Sequence, residues 1–496
     1  MSIKKQHIVK SVFWLTLSEI IYNISGYIIH SGVGRILGPE NYGRYGLVIT
    51  LTTMIIILIG NGIPTAMSKF LSEVFDKNPA MVSVIKKQAL KLQAVLVGAI
   101  TAIFFLLAPY TASALGDPSL TSLFRLSTLI IPAFAAASFY FYYFTGIHQF
   151  NIQAILKTIR SLSRVVFILL LAWVLKVEGS ILGYVLAPFF VFIIAFGIDK
   201  IKIAPALKLA QSESKTVSRK NDFHWKKLVN YAWPMTLFML FYEIMISIDL
   251  YMVKSILSDD YLTGIYNGAL TVGRIPYFLF YALTIVLLPT ISKTTSEKND
   301  EETKSVVSQA LRLMAILLPP TAILMSIFSG PTIALFYGSE YSQAAQTMQI
   351  LVIGMSCLTI FYVLSFAING AGKVKIPMWI AFSGMILNII LNYFMIHKFG
   401  ITGAAISTTL TSLLVMLFGL YVTKKEFGVT LRILSLLKIM LASIILYFTS
   451  TLFPQSQHMF IVWSLILIIL YFIILYILKE FSNKDFGLIK KLIKKQ

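Results

Sequence analysis

The chain has 496 residues, of which 57% are hydrophobic and only 13% charged, with a formal net charge of +21 and a mean hydropathy of +0.81. A soluble domain carries about twice that share of charge, so a single soluble core is excluded. The lone cysteine, Cys357, excludes an intramolecular disulfide framework. The basic residues flank apolar stretches instead of interleaving with aromatics on a polar surface, which argues for membrane topology and against a nucleic-acid partner.

A membrane span needs about 20 mostly apolar residues. Fourteen stretches qualify, at about 9–33, 44–68, 89–110, 120–144, 156–175, 180–199, 228–253, 265–290, 311–330, 345–369, 376–397, 401–422, 434–452 and 459–478. The fold class is therefore an all-α polytopic membrane protein. The first stretch follows Met1-Ser2-Ile3-Lys4-Lys5 and no Ala-x-Ala-like site comes after it, so an uncleaved span is expected. Ser18, Glu19, Asn23 and Ser25 interrupt it, as suits a helix facing a cavity. Arg125 lies toward the outer end of the fourth span, which closes on Phe139-Tyr-Phe-Tyr-Tyr-Phe144, read as an interfacial aromatic belt. Lys157, Arg160 and Arg164 share one face of the fifth span. That face can line the inner mouth of a cavity or simply anchor the helix at the cytoplasmic surface.

A basic linker at 201–227, with a short interfacial helix expected at 201–209, divides the chain. Beyond it, Glu243 and Asp249 lie in the seventh span, and Asp249 is placed near the outer interface, where water would hydrate it. Asp259-Asp260 reads as a turn and cap. Arg274 sits within the eighth span, in Val272-Gly-Arg-Ile-Pro276. Gly384 and Asn388 mark a close helix contact in the eleventh. Val462–Ile477 is almost wholly apolar.

Nearly all Lys and Arg fall in alternate gaps. With the N-terminus in the cytoplasm, the outer gaps hold only Arg35, Arg44, Lys176, Lys254 and Lys398. Both termini are then cytoplasmic. The halves also echo each other about 220 residues apart. The stretches 35–47 and 255–270 share Ile-Leu, an acidic turn and Gly-x-Tyr, and Phe141-Tyr142 through Gly183 matches Phe361-Tyr362 through Gly403. Six spans per repeat make the repeats parallel, with a cleft between two lobes. The expected organisation is a six-helix lobe at 1–200, the linker at 201–227, a second lobe at 228–424, and an added helix pair with a cytoplasmic tail at 425–496.

Charges inside spans cost on the order of 2.5–3.5 kcal/mol at a helix centre, so each needs a partner, water or a ligand. Arg274, Arg125, Arg160 and Arg164 are candidate contacts for a substrate anion, since the guanidinium fork suits phosphate. Glu19, Glu243 and Asp249 are candidate coupling or cavity acids. The competing reading of these charges is structural, with Glu19 or Glu243 paired to Arg274. No metal-ligand spacing joins His30, His148 and His397, and there is no nucleotide-hydrolysing or hydrolase motif. No cofactor and no enzymatic activity are expected.

Gly34-Arg-Ile-Leu-Gly-Pro-Glu-Asn-Tyr-Gly-Arg-Tyr-Gly-Leu47, Gly60-Asn-Gly-Ile-Pro-Thr-Ala66, Asn369-Gly-Ala-Gly-Lys373 and Phe399-Gly-Ile-Thr-Gly-Ala-Ala405 resemble signatures of the polysaccharide biosynthesis and oligosaccharide flippase family. That family belongs to the multidrug/oligosaccharidyl-lipid/polysaccharide exporter superfamily. The resemblance covers essentially the whole chain. It implies two six-helix bundles around a cavity, often with two extra helices, in the cell membrane. It also implies that a polyprenyl-(pyro)phosphate-linked oligosaccharide moves from the inner to the outer leaflet by alternating access, for surface glycan assembly. The implied partners are that lipid-linked glycan, membrane lipids, and glycosyltransferases or a polysaccharide polymerase. A peptidoglycan-precursor flippase and a cation-coupled multidrug antiporter are the alternatives within the superfamily. A scaffold for glycan enzymes is the alternative outside it.

Overall fold

Every regular element that the computed structural model describes is helical. It describes residues 3–60, 62–75, 79–205, 207, 226–430, 432–454, 456 and 459–480. The linker residues 208–225 and the tail from 481 lie outside these, and with them the end of the expected interfacial helix at 201–209 and the distal lysines.

Sixteen α-helices follow one another among the described residues: α1 (Ile3–Gly60), α2 (Ile63–Val74), α3 (Pro79–Ala114), α4 (Leu120–Ser127), α5 (Ile130–Gly146), α6 (Phe150–Ile198), α7 (Lys226–Met245), α8 (Ile248–Leu257), α9 (Asp260–Gly273), α10 (Ile275–Ser296), α11 (Asp300–Ile327), α12 (Ser329–Tyr337), α13 (Ala344–Gly370), α14 (Lys375–Phe427), α15 (Ile433–Thr451) and α16 (Phe460–Ile477). Three are too long to be single spans. α1 has 58 residues, α6 has 49 and α14 has 53, against about 30 Å of hydrocarbon and 1.5 Å of rise per residue. Each is broken by non-helical backbone: Gly38 in α1, Leu175 and Lys176 in α6, Gly400 in α14. These three count as two spans each, and α4 with α5, α7 with α8 and α9 with α10 as one each. With α3, α11, α13, α15 and α16 the total is fourteen, as the hydropathy predicts.

Local chemistry sets the joints. Asn299 starts α11, its side chain accepting from the Glu302 amide (3.1 Å) and donating back to the Glu302 carboxylate (2.8 Å), a reciprocal N-terminal cap. The break before α10 places Pro276 in the first turn, where its missing N–H is harmless. Left-handed turns recur at matching places in the two halves: Gly38 and Ser258, Gly116 and Gly338, His148 and Gly372, Lys176 and Gly400, each pair 220 to 224 residues apart. The echo read from residue types is thus also an echo of backbone conformation.

By packing, the chain forms two compact units, Met1–Asn267 with Ala381–Ile401, and Gly268–Ile380 with Thr402–Gln496. In the first, α2, α3, α5 and α6 bury Met67, Leu71, Ile85, Tyr143 and Phe144. Phe139, Tyr140, Phe141, Tyr143 and Phe144 are all at most 8% exposed. The belt expected at 139–144 is instead core, because α5 lies against α2, α3 and α6. In the second unit, α15 and α16 pack on α11 through Ile316, Leu324, Leu446, Leu467 and Tyr471. The Tyr471 hydroxyl donates to the Ile316 carbonyl (3.0 Å). Arg312 donates to the Glu480 carbonyl (2.6 Å), and its Nε lies 3.4 Å from the Glu480 carboxylate.

Candidate functional site

The first half of α6 carries Lys157, Arg160 and Arg164 at helical spacing, and this face meets the first half of α1 and part of α5. The Lys157 ammonium donates to the Glu19 carboxylate of α1. Arg160 is 7% exposed. Its guanidinium carbon lies 5.1 Å from the ring centre of Tyr22, 5.3 Å from Phe134 and 4.7 Å from Phe141. Arg164 lies 4.7 Å from the Tyr22 ring and 5.4 Å from the Tyr184 ring. Tyr22 thus sits between two cations. Beyond it, the Tyr45 hydroxyl donates to that of Tyr184 (3.1 Å), Tyr45 stacks on Tyr42 at 5.7 Å, and Tyr42 bonds His30 Nδ1 (2.9 Å). Gly183 lets the two halves of α6 close up, since a Cβ there would fall 2.5 Å from Ile168 Cα.

The charge balance of this face is unusual. Among the described residues, Glu19 is spoken for by Lys157, and neither arginine has a carboxylate in ion-pair contact. Arg160 Nε and Arg164 Nη1 are buried without a hydrogen-bond partner. Ring faces return about 0.5–2 kcal/mol per cation, and a span charge costs on the order of 2.5–3.5 kcal/mol. The aromatic cage therefore tolerates the guanidinium groups, and the Tyr22 and Tyr184 hydroxyls bond Arg164, but Arg160 Nε and Arg164 Nη1 stay unsatisfied. An anion with several oxygens supplies what is missing.

The other candidates lie elsewhere. Arg125 is exposed on α4, over the Phe105 ring at 5.0 Å. Glu243 is partly buried on α7, and Arg274 is partly buried where α10 begins. Glu19 has Lys157 as an ion-pair partner. Asp249 departs from expectation. It is 0% exposed and accepts from the Tyr266 hydroxyl (2.5 Å) and the Leu250 amide (2.8 Å). The break at Ile246–Ser247 starts a new helix there and draws the carboxylate inward.

A second charged cluster, at the ends of α3 and α8, was not foreseen. Lys254 is 4% exposed and lies 2.5 Å from Asp260 and 3.7 Å from Asp117. Asp117 accepts from the Ser119 amide (3.0 Å) and hydroxyl (2.6 Å), and Arg44 reaches the same serine. Burial opposes ionisation of Asp117, but the Ser119 hydrogen bonds with the charges of Lys254 and Arg44 outweigh it and hold the carboxyl below its ordinary range. Asp259 caps α9, accepting from the Leu262 amide (2.9 Å), as its sequence suggested. A Cβ on Gly264 would fall 1.8 Å from the Pro39 carbonyl oxygen, and one on Gly43 2.5 Å from that of Asp260. Only glycine allows these two backbones to touch.

The profile of the family described as polysaccharide biosynthesis protein matches residues 8–295, a stretch that includes the whole arginine face. The chain belongs to that family. A second profile, MatE, matches residues 234–394. An uncharacterised membrane protein of Methanocaldococcus jannaschii is 25% identical over 422 residues, covering 83% of this chain and 97% of its own. The lipid II flippase MurJ of Bacillus subtilis is 24% identical over 469 residues, 86% of this chain and 84% of its own. The structure of a lipid II flippase MurJ in an inward closed conformation superposes with a TM-score of 0.73 at 18% identity, covering 95% of this chain and 98% of that one; the fold is shared. Family membership makes this a multi-pass membrane transporter of the exporter superfamily rather than an enzyme. The signatures at 34–47 and 60–66 fall within the first matched stretch.

Proposed function

We propose that the protein flips a polyprenyl-(pyro)phosphate-linked saccharide from the cytoplasmic to the outer leaflet of the cell membrane. Arg160 and Arg164 hold the phosphate groups while the polyprenyl tail stays in lipid. The observation that carries this reading is the pair of guanidinium groups on α6, buried against aromatic rings with Arg160 Nε and Arg164 Nη1 unmet and no carboxylate in contact among the described residues. Lys157 is a third cation, held by Glu19 until an anion competes for it. Arg274, partly buried at a helix start, stays a candidate contact in the second unit, and Glu243 and Asp249 stay candidate coupling acids. Both termini are placed in the cytoplasm on the charge alternation.

Of the possible cargoes, a peptidoglycan-precursor lipid has the fuller support, because the Bacillus relative that aligns over most of both chains is a lipid II flippase. A surface-polysaccharide repeat unit is the second reading, favoured by the family description itself. A cationic drug fits poorly: Lys157, Arg160 and Arg164 present three positive charges against the single carboxylate of Glu19, and like charges repel.

The test is translocation in reconstituted vesicles, with fluorescent lipid II in one arm and a polyprenyl-diphosphate-linked oligosaccharide in the other. Arg160→Gln and Arg164→Gln are each expected to slow flipping of the accepted lipid by about tenfold or more, the loss of one charge-assisted contact. Wild-type rates in both variants would remove the arginines from the site. Absence of flipping in both arms, with efflux of small organic cations, would overturn the function.

A further inference from the structure

Arg125 poses a different problem from the buried pair. It is exposed, yet it lies in a run of helix read here as a membrane span, and the proposal rests on that reading. The Phe105 ring meets its side chain: the guanidinium carbon is 5.0 Å from the ring centre, and no protein group among the described residues accepts its N–H donors. Ser122, one turn toward Leu120, is exposed, while away from that end and across on α3 the surface is apolar and open. Leu129, one turn along the same face, is 49% exposed, and on α3 Ile103 is 55%, Leu106 67%, Leu107 49% and Tyr110 74% exposed. This is the composition of a lipid-facing wall.

Depth identifies what meets the donors. The run Leu120–Gly146 has 27 residues, about 40 Å at 1.5 Å per residue, close to the thickness of a bilayer with its headgroups. Arg125 enters about 8 Å from the Leu120 end, near the boundary between hydrocarbon and headgroups. A long basic side chain at this level extends toward the interface. The planar fork finds phosphate oxygens there in the geometry it binds best.

We infer that Arg125 and Phe105 form a binding site for the headgroup phosphate of a bilayer phospholipid in the leaflet at the Leu120 end of the span. This lipid is not the transported cargo. It sets the depth of α4 and of the first unit in the membrane.

The experiment is thermal unfolding of the full chain in a zwitterionic detergent, with phosphatidylglycerol or phosphatidylcholine added. Phosphatidylglycerol is expected to raise Tm of the wild type more than phosphatidylcholine does. Arg125→Gln should lose about half or more of that extra gain, while Lys398→Gln, which removes another exposed cation, should keep it. A full gain in Arg125→Gln overturns the site, and so does equal loss in both variants. The wild type gives a second measurement that needs no variant. Phosphatidylglycerol with a photoreactive headgroup should label peptides containing residues 103–110 or 120–129. Labelling confined to other peptides overturns the proposal. Neither readout depends on which glycan lipid is flipped.

Discussion

Arg160 and Arg164 are held by ring faces while one buried donor of each, Nε and Nη1, waits for oxygen, and that difference in partner type is the chemistry of the site. Position on one face of the fifth span was legible from spacing alone. The rings were not, because Tyr22, Phe134 and Tyr184 come from three separate stretches of chain and only packing brings them together. Tyr22 follows Glu19 by three residues, so the two share a face of α1, and this was the available clue. Asp249 was misjudged for a related reason: hydropathy places it near a span end, whereas the break at Ser247 buries it. Asp117 gives a residue-scale prediction. Its carboxyl is held below the ordinary carboxylate value of about 3.9, so its contribution is full above that pH and is lost as pH falls through the folded-state value. Asp117→Asn should therefore flatten part of the acid limb of a Tm-against-pH curve below about pH 4, and an unchanged limb would show that the contact with Lys254 does not matter for stability.

At the scale of elements, the sharp bends are the informative parts. Lys176 adopts φ 51° and ψ −127° within α6, a region that suits glycine and strains other residues by about 1–3 kcal/mol. Lys176→Gly should raise thermal stability by about 1 kcal/mol once the extra freedom of the unfolded chain is deducted, measured as an increase in Tm; a fall would mean that the lysine side chain has a role at the turn. The added pair α15 and α16 is fixed at one end by Glu480, 8% exposed, which faces Arg312 and also accepts from Ser435. Glu480→Ala leaves Arg312 without that carboxylate and should cost about 1–3 kcal/mol. The check is faster limited proteolysis after α16 relative to wild type. The helices themselves were legible because most carry a long apolar run. The aromatic stretch at 139–144 was misread because composition cannot distinguish a lipid-facing belt from a helix packed among α1, α2, α3 and α6.

For the whole molecule, charge alternation and a 220-residue echo carried most of the architecture, and the four pairs of left-handed turns show why the echo survives low identity: the turns constrain backbone more than residue type. What sequence could not reveal is the partition into compact units, since Ala381–Ile401 packs with residues far earlier in the chain. The bends in α1, α6 and α14 have one further consequence. Each confines its non-helical backbone to one or two residues, so almost no chain is left over as slack between one span and the next. A joint without slack ties the entry of the second span into the bilayer to that of the first. Lengthening Gly38, Lys176 or Gly400 into a flexible loop should loosen that tie.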